Sequence, residues 1–120
     1  MTAVLQCTVG GQGVAVPVEA VREVVRASGM VAPLGGVASV IGLLNVRGRV
    51  VPVVDWDGTG RAHERIVILE DATGTWLGVG VDTSDGVVSV AEASGGAVAT
   101  ADGASLTLLE PDRLVPVADR

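Results

Sequence analysis

The residues with chemistry to offer are few and scattered. His63 is the only histidine and Cys7 the only cysteine of the 120-residue chain. With no cysteine near it and no second histidine, His63 has neither a nucleophile to activate nor a co-ligand for zinc. Its neighbours Arg61, Ala62, Glu64 and Arg65 read as a solvated surface loop. Cys7 lies inside an apolar–polar alternation and reads as a small buried hydrophobe, and a lone cysteine excludes an internal disulfide. Asp55 and Asp57, two residues apart, would perturb each other's pKa if they shared a buried strand face. The plainer reading ends a strand at Asp55 and turns the chain at Asp57-Gly58. Gly58-x-Gly60 and Gly78-x-Gly80 lack the strand–loop–helix context that cradles phosphate. Neither a cofactor nor a metal is expected.

Two constellations keep more than one reading. Asp82-Thr83-Ser84 follows an apolar run, as the Asp-Thr-Gly loop of aspartic proteases does, and a short all-β chain can supply one carboxylate per subunit of a dimer. Position 84 holds serine where that loop uses glycine for close backbone approach, so a dimeric acid protease built on Asp82 is the alternative rather than the leading reading. The second constellation is Asn45, the only asparagine, two residues before Arg47-Gly48 at the junction of two apolar runs. Its side chain can bond nearby backbone, or its own backbone can turn left-handed. Arg47 is either an exposed charge or the partner of Glu23, which interrupts the Val-rich run of residues 21–25 and would tie the two segments together.

The elements that must hold these residues are short strands. Nearly half the chain is apolar (48%), mostly Val, Leu, Ala and Ile, enough for one contiguous core and one domain over residues 1–120. Residues 4–9 and 14–18 flank a glycine-rich turn and read as a hairpin. Residues 19–26 read as a helical turn running into a strand, and residues 37–41 as another short helical turn. Residues 43–46 and 49–54 are paired runs, with Pro52 placing the second at a sheet edge or a bulge. Residues 65–70 form a strand buried on both faces, paired with residues 76–82. A strand around residues 87–90, a flexible Ala/Gly/Ser connection over residues 91–104 and a last strand at residues 105–109 complete roughly eight to ten strands, the pattern of small barrels. The net charge of −6, with no arginine cluster and no lysine, argues against nucleic acid. No charged leader and no apolar run approaching about 18 residues is present, so direct membrane insertion is not expected and the cytoplasm is.

Gly42-Leu43-Leu44-Asn45-Val46-Arg47-Gly48-Arg49-Val50-Val51-Pro52-Val53-Val54-Asp55 resembles the Gly-x-x-Asn-x-Arg-Gly-x-x-x-Pro-x-x-Asp core of CheW-like domains. Val21-Arg22-Glu23-Val24 before it and Gly78-Val79-Gly80-Val81-Asp82 after it match the family's flanking patterns in order and spacing, so the resemblance covers nearly the whole chain. It implies an all-β fold of two small five-stranded barrels on a shared hydrophobic seam, with docking rather than catalysis as the function. One surface would bind the regulatory domain of a CheA-type histidine kinase and another the helical tip of a chemoreceptor, in chemotaxis or a related two-component pathway. The positions it marks are Val21, Glu23, Gly42, Arg47 and Val50, with Asn45 and Gly48 from the motif itself and Val87 from a later strand.

Overall fold

Val-rich runs cut by glycine turns favour a meander of short strands over helices. The computed structural model describes residues 2–32, 40–56, 63–92 and 96–110. Within them β1 (Thr2–Val9) and β2 (Gln12–Pro17) form a hairpin, and a 3-10 turn at Val18–Ala20 leads into β3 (Val21–Arg26). Then come β4 (Val40–Val46), β5 (Arg49–Val54), β6 (Arg65–Glu70), β7 (Trp76–Val81), β8 (Thr83–Glu92), β9 (Ala97–Thr100) and β10 (Ser105–Leu108). The order β1-β2-β10-β9-β8 closes into a barrel, and β3-β6-β7-β5-β4 forms a second five-stranded sheet. This is the all-β architecture of two small five-stranded units that the sequence implies. The second unit differs in one respect: its hydrogen-bonded ladder ends at β3 and β4.

The period-2 alternation of the strands sorts the core into three layers. Val4, Ala15, Val90, Val98 and Leu106 fill the first barrel. Leu44, Val46, Val51, Val53, Ile66 and Ile68 fill the second. Between them lies the seam, where Leu5, Cys7, Val14 and Val16 from the first barrel meet Val67, Leu69, Leu77 and Val79 from the second. Neighbouring residues of β6 therefore face different cores, which is why all of Ile66, Val67, Ile68 and Leu69 are fully buried. In β7 the seam-facing residues are Leu77, Val79 and Val81, and the other face carries Trp76 followed by Gly78 and Gly80. A Cβ on Gly78 would lie 2.7 Å from Ile66 Cγ2.

Four expectations need correction. Pro52 lies in an interior strand, not at an edge or bulge, because β5 pairs with both β4 and β7. Leu43, its cross-strand partner, turns its own N–H and C=O away to Val31 (2.8 and 2.9 Å), so the pair occupies a non-hydrogen-bonded site, and the parallel pairing with β7 begins only at Val53. A proline costs no ladder bond there. Residues 91–104 are not a loose connection: they hold the end of β8 and all of β9, whose Val98 is buried in the first barrel. Val40 and Ile41 belong to β4 rather than to a helical turn, and residues 37–39 lie outside the described residues. His63 is buried rather than solvated, against Gly80 and Asp82.

Cys7 has no exposed surface. Burial, with the Asp85 carboxylate adding to it, pushes its thiol up to about 11. An unfolded thiol ionises near ~8.5. Between the two values the unfolded chain has lost a proton that the folded chain keeps, so stability falls as pH rises across that window. The chain has no lysine and no tyrosine, which leaves Cys7 as the one side chain titrating there. Urea midpoints measured from about pH 8 to about pH 11 should decline steadily for the wild type. Cys7→Ala should start lower and stay level; parallel declines would show that the buried thiol is not the source.

Candidate functional site at the rim of the second barrel

The turn between β4 and β5 is Arg47-Gly48, flanked by the paired residues Val46 and Arg49. Both turn residues have positive φ, 52° and 84°, the geometry of the two-residue hairpin turns that match strand twist. Glycine adopts it freely. Arg47 is the one non-glycine residue among those described to do so, and two contacts hold it there. Asn45 Oδ1 accepts a hydrogen bond from Gly48 N–H at 2.9 Å, and Arg47 Nε–H donates to Glu23 Oε1 at 2.8 Å. Of the two backbone roles open to Asn45, the structure selects the side-chain cap. The Glu23 bond also raises the guanidinium's pKa, so Arg47 is charged throughout.

Glu23 sits on β3 opposite Ile68, on the face that Val25 turns toward the barrel core. β3 and β4 are the two ends of the ladder, so the Glu23–Arg47 pair joins edges that no hydrogen-bonded register connects. A cleft of ≈ 260 Å³ runs between them, lined by Val25, Arg26 and Ser28 on one side and Leu44, Asn45 and Val46 on the other. The hairpin tip stands clear of the core, with residues 47–50 all exposed and Val50 68% exposed.

The other sequence-marked positions are placed differently. Val21 is half-buried against the seam, where it packs as core. Gly42 is buried at a bulge in β4, and a Cβ on it would lie 2.5 Å from Met30 Cγ, so its role is to admit the Met30–Val31 segment against the strand. Val87 is 63% exposed on β8, in the other barrel. Glu23, Asn45, Arg47, Gly48 and Val50 thus form one group. Asp55 follows the end of β5, and Asp57 lies outside the described residues.

Two further clusters join residues that no motif brings together. At the same rim, Trp76 on β7 pairs with Glu70 on β6. Trp76 Nε1–H donates to Glu70 Oε1 at 3.3 Å, and the same oxygen accepts an ion-pair contact from Arg22 Nε at 3.1 Å. The Arg49 guanidinium lies 3.8 Å from the centre of the indole ring and that of Arg22 5.7 Å. The turn beneath is fixed by Asp71, whose Oδ1 accepts from Thr73 Oγ1, Thr73 N–H and Thr75 N–H at 2.7–2.9 Å. Those bonds, the Thr73 hydroxyl first, hold its carboxyl below the usual range. The one available signal was parity, since Arg49, Glu70 and Trp76 continue the core-facing alternation of their strands.

The second cluster is His63 with Asp82. His63 Nδ1 lies 2.9 Å from Asp82 Oδ1, Asp82 Oδ2 accepts from Gly10 N–H at 2.7 Å, and Asp82 N–H donates to Thr8 O at 2.8 Å. The imidazole fits over Gly80, where a Cβ would lie 2.5 Å from its Cδ2. This packing overturns the solvated-loop reading of His63. Asp82 ties the second sheet to the β1–β2 hairpin of the first barrel, with both carboxylate oxygens engaged inside the chain.

A family model described as "CheW-like domain" matches residues 3–119. Among solved structures, the scaffolding protein TtCheW from Thermoanaerobacter tengcongensis is similar in fold, with a TM-score of 0.80 at 20% identity over 99% of this chain and 90% of that one. No match is found among curated proteins.

Asp82→Asn and His63→Ala should each lower stability, His63→Ala by about 3 kcal/mol for the loss of a buried ring. Chemical denaturation measures both, and a neutral His63→Ala would remove the clamp from the account. For the rim, Arg47→Asn should keep the turn but lose the ion pair. Its melting temperature should fall relative to wild type in dilute buffer, and the gap should narrow in 1 M salt, on the order of a 3 Å screening length. A gap that does not depend on salt would mean that the pair contributes nothing through charge.

Proposed function

The chain belongs to the CheW-like domain family, and on that premise we propose that it is a non-catalytic cytoplasmic scaffold that couples chemoreceptors to a CheA-type histidine kinase. The partners are the regulatory domain of the kinase and the cytoplasmic tip of a receptor, in chemotaxis or a related two-component pathway. The observation that carries the reading is the hairpin tip: Val50 stands exposed beside Asn45, Gly48 and the Glu23–Arg47 pair, on a rigid turn rather than a loose loop. An apolar contact at Val50 would supply affinity, and the charges around it would set register. Exposed Val87 on the other barrel offers a second contact for the other partner.

Calorimetry with the regulatory domain of a CheA-type kinase from the same genome, and with a receptor-tip fragment, tests this. Wild type should bind at least one of them, and Val50→Asp and Arg47→Ala should each weaken that complex by more than about fivefold without unfolding the chain. A wild type that binds neither would remove the coupling role.

A further inference from the structure

We propose that Arg49, laid on Trp76, is a carboxylate-binding platform that takes a glutamate or aspartate side chain of a protein partner. The proposal rests on the adaptor reading only for there being such a partner. Besides Arg26, which lines the cleft, three arginines stand at this rim, and they are not equivalent. Arg47 is paired with Glu23 and Arg22 with Glu70. Among the described residues, Arg49 has Trp76 as its contact and no carboxylate within ion-pair distance.

The guanidinium carbon lies 3.8 Å from the ring centre, held by the attraction of a cation to the ring's negative quadrupole. Its five N–H donors cannot all be aimed at the ring, so donors remain for capture of a carboxylate. The ring beneath is itself fixed. Its edge is tied to Glu70, and its body packs against the core cluster of the second barrel. Much of the entropy of ordering a long arginine side chain is therefore lost on folding rather than on binding. The position is exposed, while Val50, next in sequence, points to the opposite face of the strand. A cation that no described carboxylate neutralises is complementary to an acidic partner segment, and the net charge of −6 confines that complementarity to this local site.

The test uses the full chain and a defined probe, capped hexaglutamate, with capped hexaglutamine as control. The readout is the indole Nε1–H resonance of Trp76, assigned with Trp76→Phe. Hexaglutamate should shift it saturably and hexaglutamine should not. Arg49→Gln should weaken the titration by about tenfold or more, and Arg49→Lys, which keeps the charge but not the planar fork, should fall in between. No saturable shift, an equal response to hexaglutamine, or unchanged affinity in Arg49→Gln overturns the platform. Measurement against the kinase domain and receptor tip separates the two conclusions. Partners that bind Arg49→Gln as tightly as wild type overturn the platform and leave the adaptor standing. Hexaglutamate binding through Arg49 by a chain that binds neither partner supports the platform and removes the adaptor.

Discussion

The central strands of this protein must satisfy two apolar environments at once. β1, β2, β6 and β7 each turn one set of side chains into their own barrel and the alternate set into the seam. A fully buried Val, Leu or Ile contributes about 1.5–3 kcal/mol before chain entropy is subtracted. The seam, with a dozen buried side chains, therefore outweighs any contact at the surface. It also fixes register, because a slip by one residue in β6 would exchange Ile66 and Ile68 with Val67 and Leu69 between two differently shaped cores. Glycine at 78 and 80 belongs to the same constraint: beyond Trp76, β7 has bulk on the seam face and none on the other, where Ile66 and His63 occupy the space.

From that constraint follows the rim. The first barrel closes by pairing β10 with β2, but the second sheet ends at β3 and β4, and free edges invite wrong pairing. The chain handles them with charge and with cover. Glu23 and Arg47 join the edges across the cleft, Arg22 and Arg26 mark β3, and the Val31–Leu43 bridge lays a segment along β4 with the Met30 side chain seated over Gly42. Residues that a docking surface would display are in this way the same residues that the fold needs to finish its second barrel. Arg47 shows the coupling most directly: its left-handed backbone is tolerated within a turn capped by Asn45 and anchored by Glu23, so display and closure cannot be changed separately.

Strand positions and the Asn45–Arg47–Gly48 turn were legible because periodicity and turn chemistry are local, and the Glu23–Arg47 pair because one carboxylate interrupts a Val-rich run. What escaped was set by tertiary partners. His63 among charged neighbours reads as surface, and only the packing of its ring over Gly80 and its bond to Asp82 bury it. Pro52 reads as an edge residue, since the rule concerns donors and the hydrogen-bonding parity of a site cannot be counted without the register. β9 hides in an Ala/Gly/Ser stretch because a strand lining a very small barrel needs small residues, the composition that otherwise signals a linker. The Arg49–Trp76 contact left only the parity of its strands as a signal, because it joins strands that are neighbours in the sheet and distant in the chain.

The scarcity of aromatic residues sharpens the meaning of where they lie. There is no phenylalanine or tyrosine, Trp56 packs against the seam, and Trp76 is the single aromatic ring at the rim. Valine and leucine fill the cores of barrels this small without it, since their volumes already interdigitate across the narrow interiors. A large ring at the mouth, pinned through its N–H and topped by a guanidinium, does more than fill space. It presents a flat, preorganised surface on a molecule whose exposed apolar side chains include Val31, Val50 and Val87, each of them short. Interfaces concentrate their energy at rigid anchors rather than spreading it over area. On this surface the rigid element is the rim of the second barrel, where the constraint that closes the fold and the groups able to meet a partner coincide.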